Sequence, residues 1–162
     1  MAEWANFGIV AGAAAATLVG LLFVAVTLRV NTVVTTSDLR YRAAQTLALF
    51  ITVLLISLLL VVPGQPLRLV GVELVIVAVA AGAAMAVFDR LASRATEPSV
   101  LARTLGVISL NATAVLLIAL SGAIAAAGQR WGIYLLVPGV VAALVCGVVN
   151  AWLLLVRLPA IK

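Results

Sequence analysis

The sequence predicts an all-α, polytopic bundle of five membrane-spanning helices, and three observations predict it. Of 162 residues, 66% are hydrophobic and only 9% charged, against about 45–50% apolar and about 25% charged in an ordinary soluble domain. So short a chain has too little interior to hide the excess, and its mean hydropathy of +1.34 describes an exterior that is itself apolar. Second, apolar runs recur five times, each near the roughly 20 residues that cross about 30 Å of hydrocarbon. Third, basic residues concentrate on alternate connections between those runs, as a fixed orientation in a membrane requires. Together these exclude a cytosolic enzyme, a secreted disulfide scaffold and a disordered tail.

The first span, Phe7 to Leu28, is uncharged and ends at Arg29. A cleaved signal peptide is the rival reading, but Met1-Ala2-Glu3-Trp4 has no basic residue and the apolar stretch exceeds the usual 7–15 residues or so. The span is therefore expected to stay in the mature protein. Gly8, Gly12, Ala16 and Gly20 recur at intervals of four and predict close approach of another helix along that stripe. The second span is Ala44 to Pro63. Before it, Thr35-Thr36-Ser37-Asp38 reads as a helix start, with Ser37 or Thr36 as cap and Asp38 in the first turn. Asp38 and Arg42 are spaced to pair along that projecting turn.

The third span, Leu69 to Phe88, follows a Pro63-Gly64-Gln65-Pro66 turn, carries Glu73, and is expected to run on to a break at Glu97-Pro98, where Ser99 can cap the next helix. The fourth is Thr104 to Ala127 and the fifth Ile133 to Val156. Gly128-Gln129-Arg130-Trp131-Gly132 separates them, and its glycines leave no expected room for a further helix. Pro138-Gly139 predicts a kink near the start of the fifth. Residues 1–162 read as a single integral membrane domain.

Helix periodicity divides two of the spans into faces. On the fifth, Gly139, Ala143, Cys146, Gly147 and Asn150 share a stripe of small residues, opposite Tyr134, Val137, Val141, Val145, Val148, Trp152 and Leu155. On the fourth, Thr104, Asn111, Ala114, Gly122 and Ala125 oppose Leu116, Leu117, Leu120 and Ile124. Small and polar residues belong at helix contacts in lipid, and large apolar ones can face the acyl chains.

Eight of the ten basic residues lie on one side: Arg29, Arg40, Arg42, Arg90, Arg94, Arg103, Arg157 and Lys162, with Arg68 and Arg130 on the other. Lys and Arg are retained in the cytoplasm, so the N-terminus is expected outside and the C-terminus inside. Trp4, Trp131 and Tyr134 then fall at outer ends, Tyr41 and Trp152 near inner ones, the levels that amphipathic rings prefer. Nine arginines to one lysine, with abundant Ala, Val and Gly, suggest a GC-rich bacterial genome and hence a plasma (inner) membrane.

Glu73 is the one ionisable residue well inside a span, which makes it a functional hypothesis. It shares a stripe with Val77, Ala80 and Ala84 and can face the interior as a proton or cation site. The plainer reading, which is favoured, pairs it with Arg68 or Arg130 at the outer rim. Asn111, Asn150 and Gln45 fall in the inner half and can meet as a polar cluster lining a cavity; as glue between helices they are ordinary. Cys146 reads as a small packing residue. Arg29, Arg40, Arg42, Arg90, Arg94 and Arg103 set topology, and can also contact anionic lipid or an acidic partner.

One cysteine and no histidine leave no expected metal site or cofactor. The catalytic motifs that would mark an enzyme are absent, and no basic-aromatic surface for nucleic acid is expected. Small-residue faces left uncovered predict a homo-oligomer. Two functions remain: a non-catalytic membrane module, acting as an accessory or regulatory subunit, and a homo-oligomeric channel or transporter for protons or small cations through Glu73, Asn111 and Asn150. Sparse intramembrane charge favours the first.

Overall fold

A computed structural model describes residues 2–28, 37–95 and 107–156, with the side chains of residues 3–28, 40–41, 43–91 and 111–152. Among the described residues there are five α-helices and no strand: α1 (Ala2–Leu28), α2 (Ser37–Val61), α3 (Leu67–Ala95), α4 (Val107–Ala126) and α5 (Leu136–Val156), with a 3-10 helix over Arg130–Leu135. By length and composition four stretches can cross a membrane: Glu3–Leu28, Ala43–Val61, Leu67–Leu91 and Arg130–Trp152; Asn111–Ala126 is a shorter apolar helix. The outward faces carry Ile9, Val10, Leu58, Ile76, Val79, Leu116 and Val145, all exposed. An apolar exterior of this kind is what a bilayer, not water, accommodates.

Short turns decide the order of contacts. Gly64 takes φ +74° in the α2–α3 turn, a left-handed conformation that costs glycine little. The Pro66 carbonyl then accepts hydrogen bonds from the Leu69 and Val70 amides, at 3.0 and 3.2 Å, and starts α3. Helix α4 ends in a Schellman motif: Gly128 has φ +87°, its N–H donates to the Ala125 carbonyl, and the Gln129 N–H donates to Ile124. Consecutive helices therefore return beside one another. Contacts run α2 to α3, α3 to α4, α4 to α5 and α5 back to α2, closing a four-helix ring. Helix α1 lies outside it, against α2 and lightly against α5.

The ring is filled. Leu49, Val53, Ile56 and Leu60 of α2 meet Val70, Leu74 and Ala78 of α3, Ala114 and Ile118 of α4, and Leu136, Val140 and Ala143 of α5 in one buried cluster. Buried positions step by threes and fours, as at 111, 114, 118, 121 and 125. That alternation keeps one seam in contact along a helix of 3.6 residues per turn.

Three expectations about the backbone need correction. Ala16 is exposed and a Cβ on Gly20 would meet nothing within 4 Å, whereas Gly8, Ala11 and Ala15 are buried against α2. A strict step of four advances the contact by about 40° each time, so by Gly20 it has turned about 120° off the interface. The Gly128–Gly132 segment does not exclude a further helix: Gly132 donates to the Gln129 carbonyl at 3.2 Å inside the 3-10 helix. Pro138 sits in the first turn of α5, where its missing N–H leaves no bond unmade. The change of winding falls instead at Leu135 to Leu136, between the 3-10 helix and α5.

Helix α2 begins at Ser37, two turns before its apolar stretch, and α3 continues past Phe88 to Ala95. Thr36, Ser99, Thr104, Arg29, Arg103, Arg157 and Lys162 lie outside the described residues, as do the side chains of Asp38, Arg42, Arg94 and Leu155.

Candidate functional site

The small-residue faces bring backbones together. On α5, Gly139, Ala143, Cys146, Gly147 and Asn150 are all buried. A Cβ on Gly139 would stand 3.1 Å from Ile118 Cγ1, and one on Gly147 would strike the Phe50 ring of α2. Gly147 is thus the seat of Phe50, one of the largest fully buried side chains. The α3–α4 contact is tighter: Gly71 and Gly122 face each other, with carbonyl oxygens 2.7 and 2.8 Å from where the opposite Cβ would be. Gly71 carries no signal in the sequence, because it stands among Leu69, Val70 and Val72 without a neighbouring small residue at helical spacing.

Glu73 does not face the bundle centre. The buried seam of α3 is Val70, Gly71, Leu74, Ala78, Ala81 and Met85, and Glu73 sits half-buried on its flank, with Ala80 of its stripe exposed. Gln65 of the preceding turn reaches over it, Nε2 donating to both carboxylate oxygens at 3.2 and 3.3 Å. The rim pairing expected with Arg68 or Arg130 is made by this amide instead. Arg68 lies over Gly128, its Nε 3.3 Å from where a Cβ would be, and so bridges the two short turns. The pairing was illegible because it depends on how the Gly64 turn folds Gln65 back, not on helical spacing. Trp4 packs edge-on against Tyr134 at 5.1 Å and against Phe7 at 5.9 Å, which ties α1 to the 3-10 helix at this end.

At the opposite end Gln45 of α2 donates from Nε2 to Asp89 Oδ1 of α3. This separates Gln45 from the asparagines expected to cluster with it. Asn111 and Asn150 are both buried, but Asn111 Oδ1 has no hydrogen-bond partner, so no bond through that oxygen joins the two. Gly132 beside Ile124, and Gly139 beside Leu117 and Ile118, set the α4–α5 register. Extended toward the Gln45 end, it levels Asn111 with Cys146 and places Asn150 about one turn, or about 6 Å, further along. Between the two ends the hydroxyls of Thr52 and Ser57 donate back to their own helix, to Ala48 and Val53 carbonyls at 2.7 Å. They are satisfied locally and do not point along a path.

Arg40 and Arg90 are exposed. The Arg40 guanidinium stacks on Tyr41, 5.2 Å from the ring centroid, and donates to its hydroxyl at 3.3 Å. Among the described residues no group of three or more Cys, Asp or Glu side chains is placed to hold a metal ion. Comparison with protein-family models, curated proteins and solved structures found no match.

Proposed function

We propose that the chain is a non-catalytic membrane module, an accessory or regulatory subunit that binds other membrane components through helix faces and its basic connections. The observation that supports this reading is the filled ring. From Leu60 and Val70 at one end to Ala143 and Cys146 toward the other, its centre is a continuous apolar cluster. Ion conduction needs polar groups or water along a path. The polar side chains of the ring sit at its ends, bond to their own helix or, like Ser121, are buried without a partner.

We read the module as lying in the plasma (inner) membrane of a GC-rich bacterium, N-terminus outside, its cytoplasmic arginines against anionic lipid or an acidic partner. Few residues of helix α1 are buried, and it is the natural face for self-association into a homo-oligomer, since it is not part of the ring. The test pairs two measurements. Tagged chain extracted gently from its own membrane should retain a stoichiometric membrane-protein partner, which Arg40→Glu with Arg42→Glu releases without loss of insertion. Purified chain in liposomes should carry no proton or cation flux. A flux that Glu73→Gln abolishes would replace this reading with that of a channel.

A further inference from the structure

Helices α1 and α2 stay in contact toward the end that bears Arg40, where Leu22 is buried in one cluster with Val26, Ala43 and Leu47, and an apolar cleft lies beside that contact. At the other end the backbones come closer: a Cβ on Gly8 would stand 2.9 Å from the Ser57 carbonyl, and one on Gly12 3.0 Å from Ser57 Cβ. The cleft offers about 130 Å³ and is lined by Leu22, Phe23 and Val26 of α1 and Ala43, Ala44 and Leu47 of α2. That is less than the roughly 300–1,000 Å³ of a site that encloses a compact ligand, and suits part of one thin hydrocarbon chain laid along it. It stays open because alanines stand at 43 and 44.

Arg40 belongs to the same face. It precedes Ala43, Ala44 and Leu47 by three, four and seven residues, the spacings that share one side of a helix. It is exposed, and its hydroxyl and ring partner, Tyr41, is neutral. The guanidinium therefore keeps its charge and has N–H donors to spare for a phosphate, which it matches in a fork geometry.

We propose that this cleft holds one acyl chain of an anionic glycerophospholipid, with the lipid phosphate on Arg40. Charge complementarity selects that occupant: the walls accept a hydrocarbon chain, and the cation waits one helical turn beyond them on the same face. An apolar helix of a second copy would fill the walls but leave Arg40 without a counter-charge. The proposal rests on the reading of the chain as a membrane protein and not on its role as a module.

The test is native mass spectrometry of the full chain released from nanodiscs of equimolar phosphatidylglycerol and phosphatidylcholine with identical acyl chains. Wild type should retain one phosphatidylglycerol, preferred over phosphatidylcholine by about fivefold, the weight of one basic residue at an anionic surface. Arg40→Gln should bring that preference to about one while a lipid stays bound, and Ala44→Leu, which fills the cleft, should lose the retained lipid of either kind. Helicity by circular dichroism checks folding of both variants, and Arg40→Gln touches no buried contact. Equal retention of both lipids by wild type, retention unaffected by either substitution, or a dimer that Ala44→Leu dissociates would overturn the proposal. Flotation with liposomes separates the two failures. A chain that does not float refutes the membrane reading, and one that floats but retains no lipid refutes this site alone.

Discussion

Gly71→Ala sets two physical effects against each other with opposite signs. In a helix interior alanine is favoured over glycine by about 0.8–1.0 kcal/mol, so propensity alone predicts a stabilised protein. The α3–α4 contact predicts the reverse. The added Cβ would meet the backbone nitrogen of Ala126, the carbonyl carbon of Ala125 at 2.7 Å and the carbonyl oxygen of Gly122 at 2.7 Å. All three atoms are backbone, so no rotamer change relieves the clash and the helices must separate. Opening to ordinary contact takes roughly 1 Å or slightly more, which forfeits about half of each dispersion well across the seam.

Leu74, fully buried beside this contact, is one such side chain, and a buried leucine makes about 40–60 contacts of about 0.1–0.2 kcal/mol each. If about half of them cross to α4, the loss is of order 1–3 kcal/mol, the usual cost of overpacking. Net of the propensity gain, Gly71→Ala should destabilise by up to about 2 kcal/mol. Gly20→Ala, with open space around it, should stabilise slightly or change nothing. Reversible unfolding in mixed micelles by added dodecyl sulfate measures both. A Gly71→Ala protein at least as stable as wild type would refute the close approach and with it the α3–α4 geometry.

Two further substitutions probe single groups. Asn111→Leu removes a buried carbonyl oxygen that has no partner, and since an unpaired buried polar group costs about 1–3 kcal/mol, the variant should be as stable as wild type or more so; a loss above about 2 kcal/mol in the same unfolding assay would mean that Asn111 is bonded after all. Gly128→Ala must hold φ +87° with a Cβ 3.3 Å from Arg68 Nε. It should lose about 1–2 kcal/mol, the left-handed penalty, and an unchanged midpoint would count against the Schellman turn.

Where composition differs across a helix, its faces could be read directly. Helix α5 is rich in valine, so the few small or polar residues at 139, 143, 146, 147 and 150 stood out, and every one is buried. The same logic separated Asn111, Ala114, Gly122 and Ala125 from exposed Leu116 and Leu120 on α4, but it placed Leu117 and Ile124 on the lipid side, where the structure sets them against Gly139 and Gly132. It missed Ile118, Leu136 and Val140, which are among the largest buried side chains. In an apolar helix a large apolar residue suits lipid and core equally, so nothing local distinguishes them. On α1, where alanine is everywhere, small-residue spacing carried little information and pointed to Ala16 and Gly20 instead of Ala11 and Ala15.

The candidate site divides in the same way. Glu73 stood out because ionisable groups are costly in hydrocarbon, but its partner Gln65 was set by the turn between two helices. The same holds for Gln45, which bonds Asp89 across the α2–α3 pair instead of joining the asparagines of α4 and α5.

By itself the sequence determined that the chain is a set of helices apolar enough to cross a membrane, together with their approximate limits, the two glycine turns and the contact face of α5. These follow from local quantities: transfer of apolar groups, helix rise per residue, and the backbone freedom of glycine. Only the tertiary structure decided that α2 to α5 close a ring with α1 outside it, that Gly71 meets Gly122, that Gln65 holds Glu73, and that α1 and α2 line an apolar cleft. Each depends on the relative register of two helices. In an apolar medium that register is set by which surfaces fit, a property of pairs that no single segment carries.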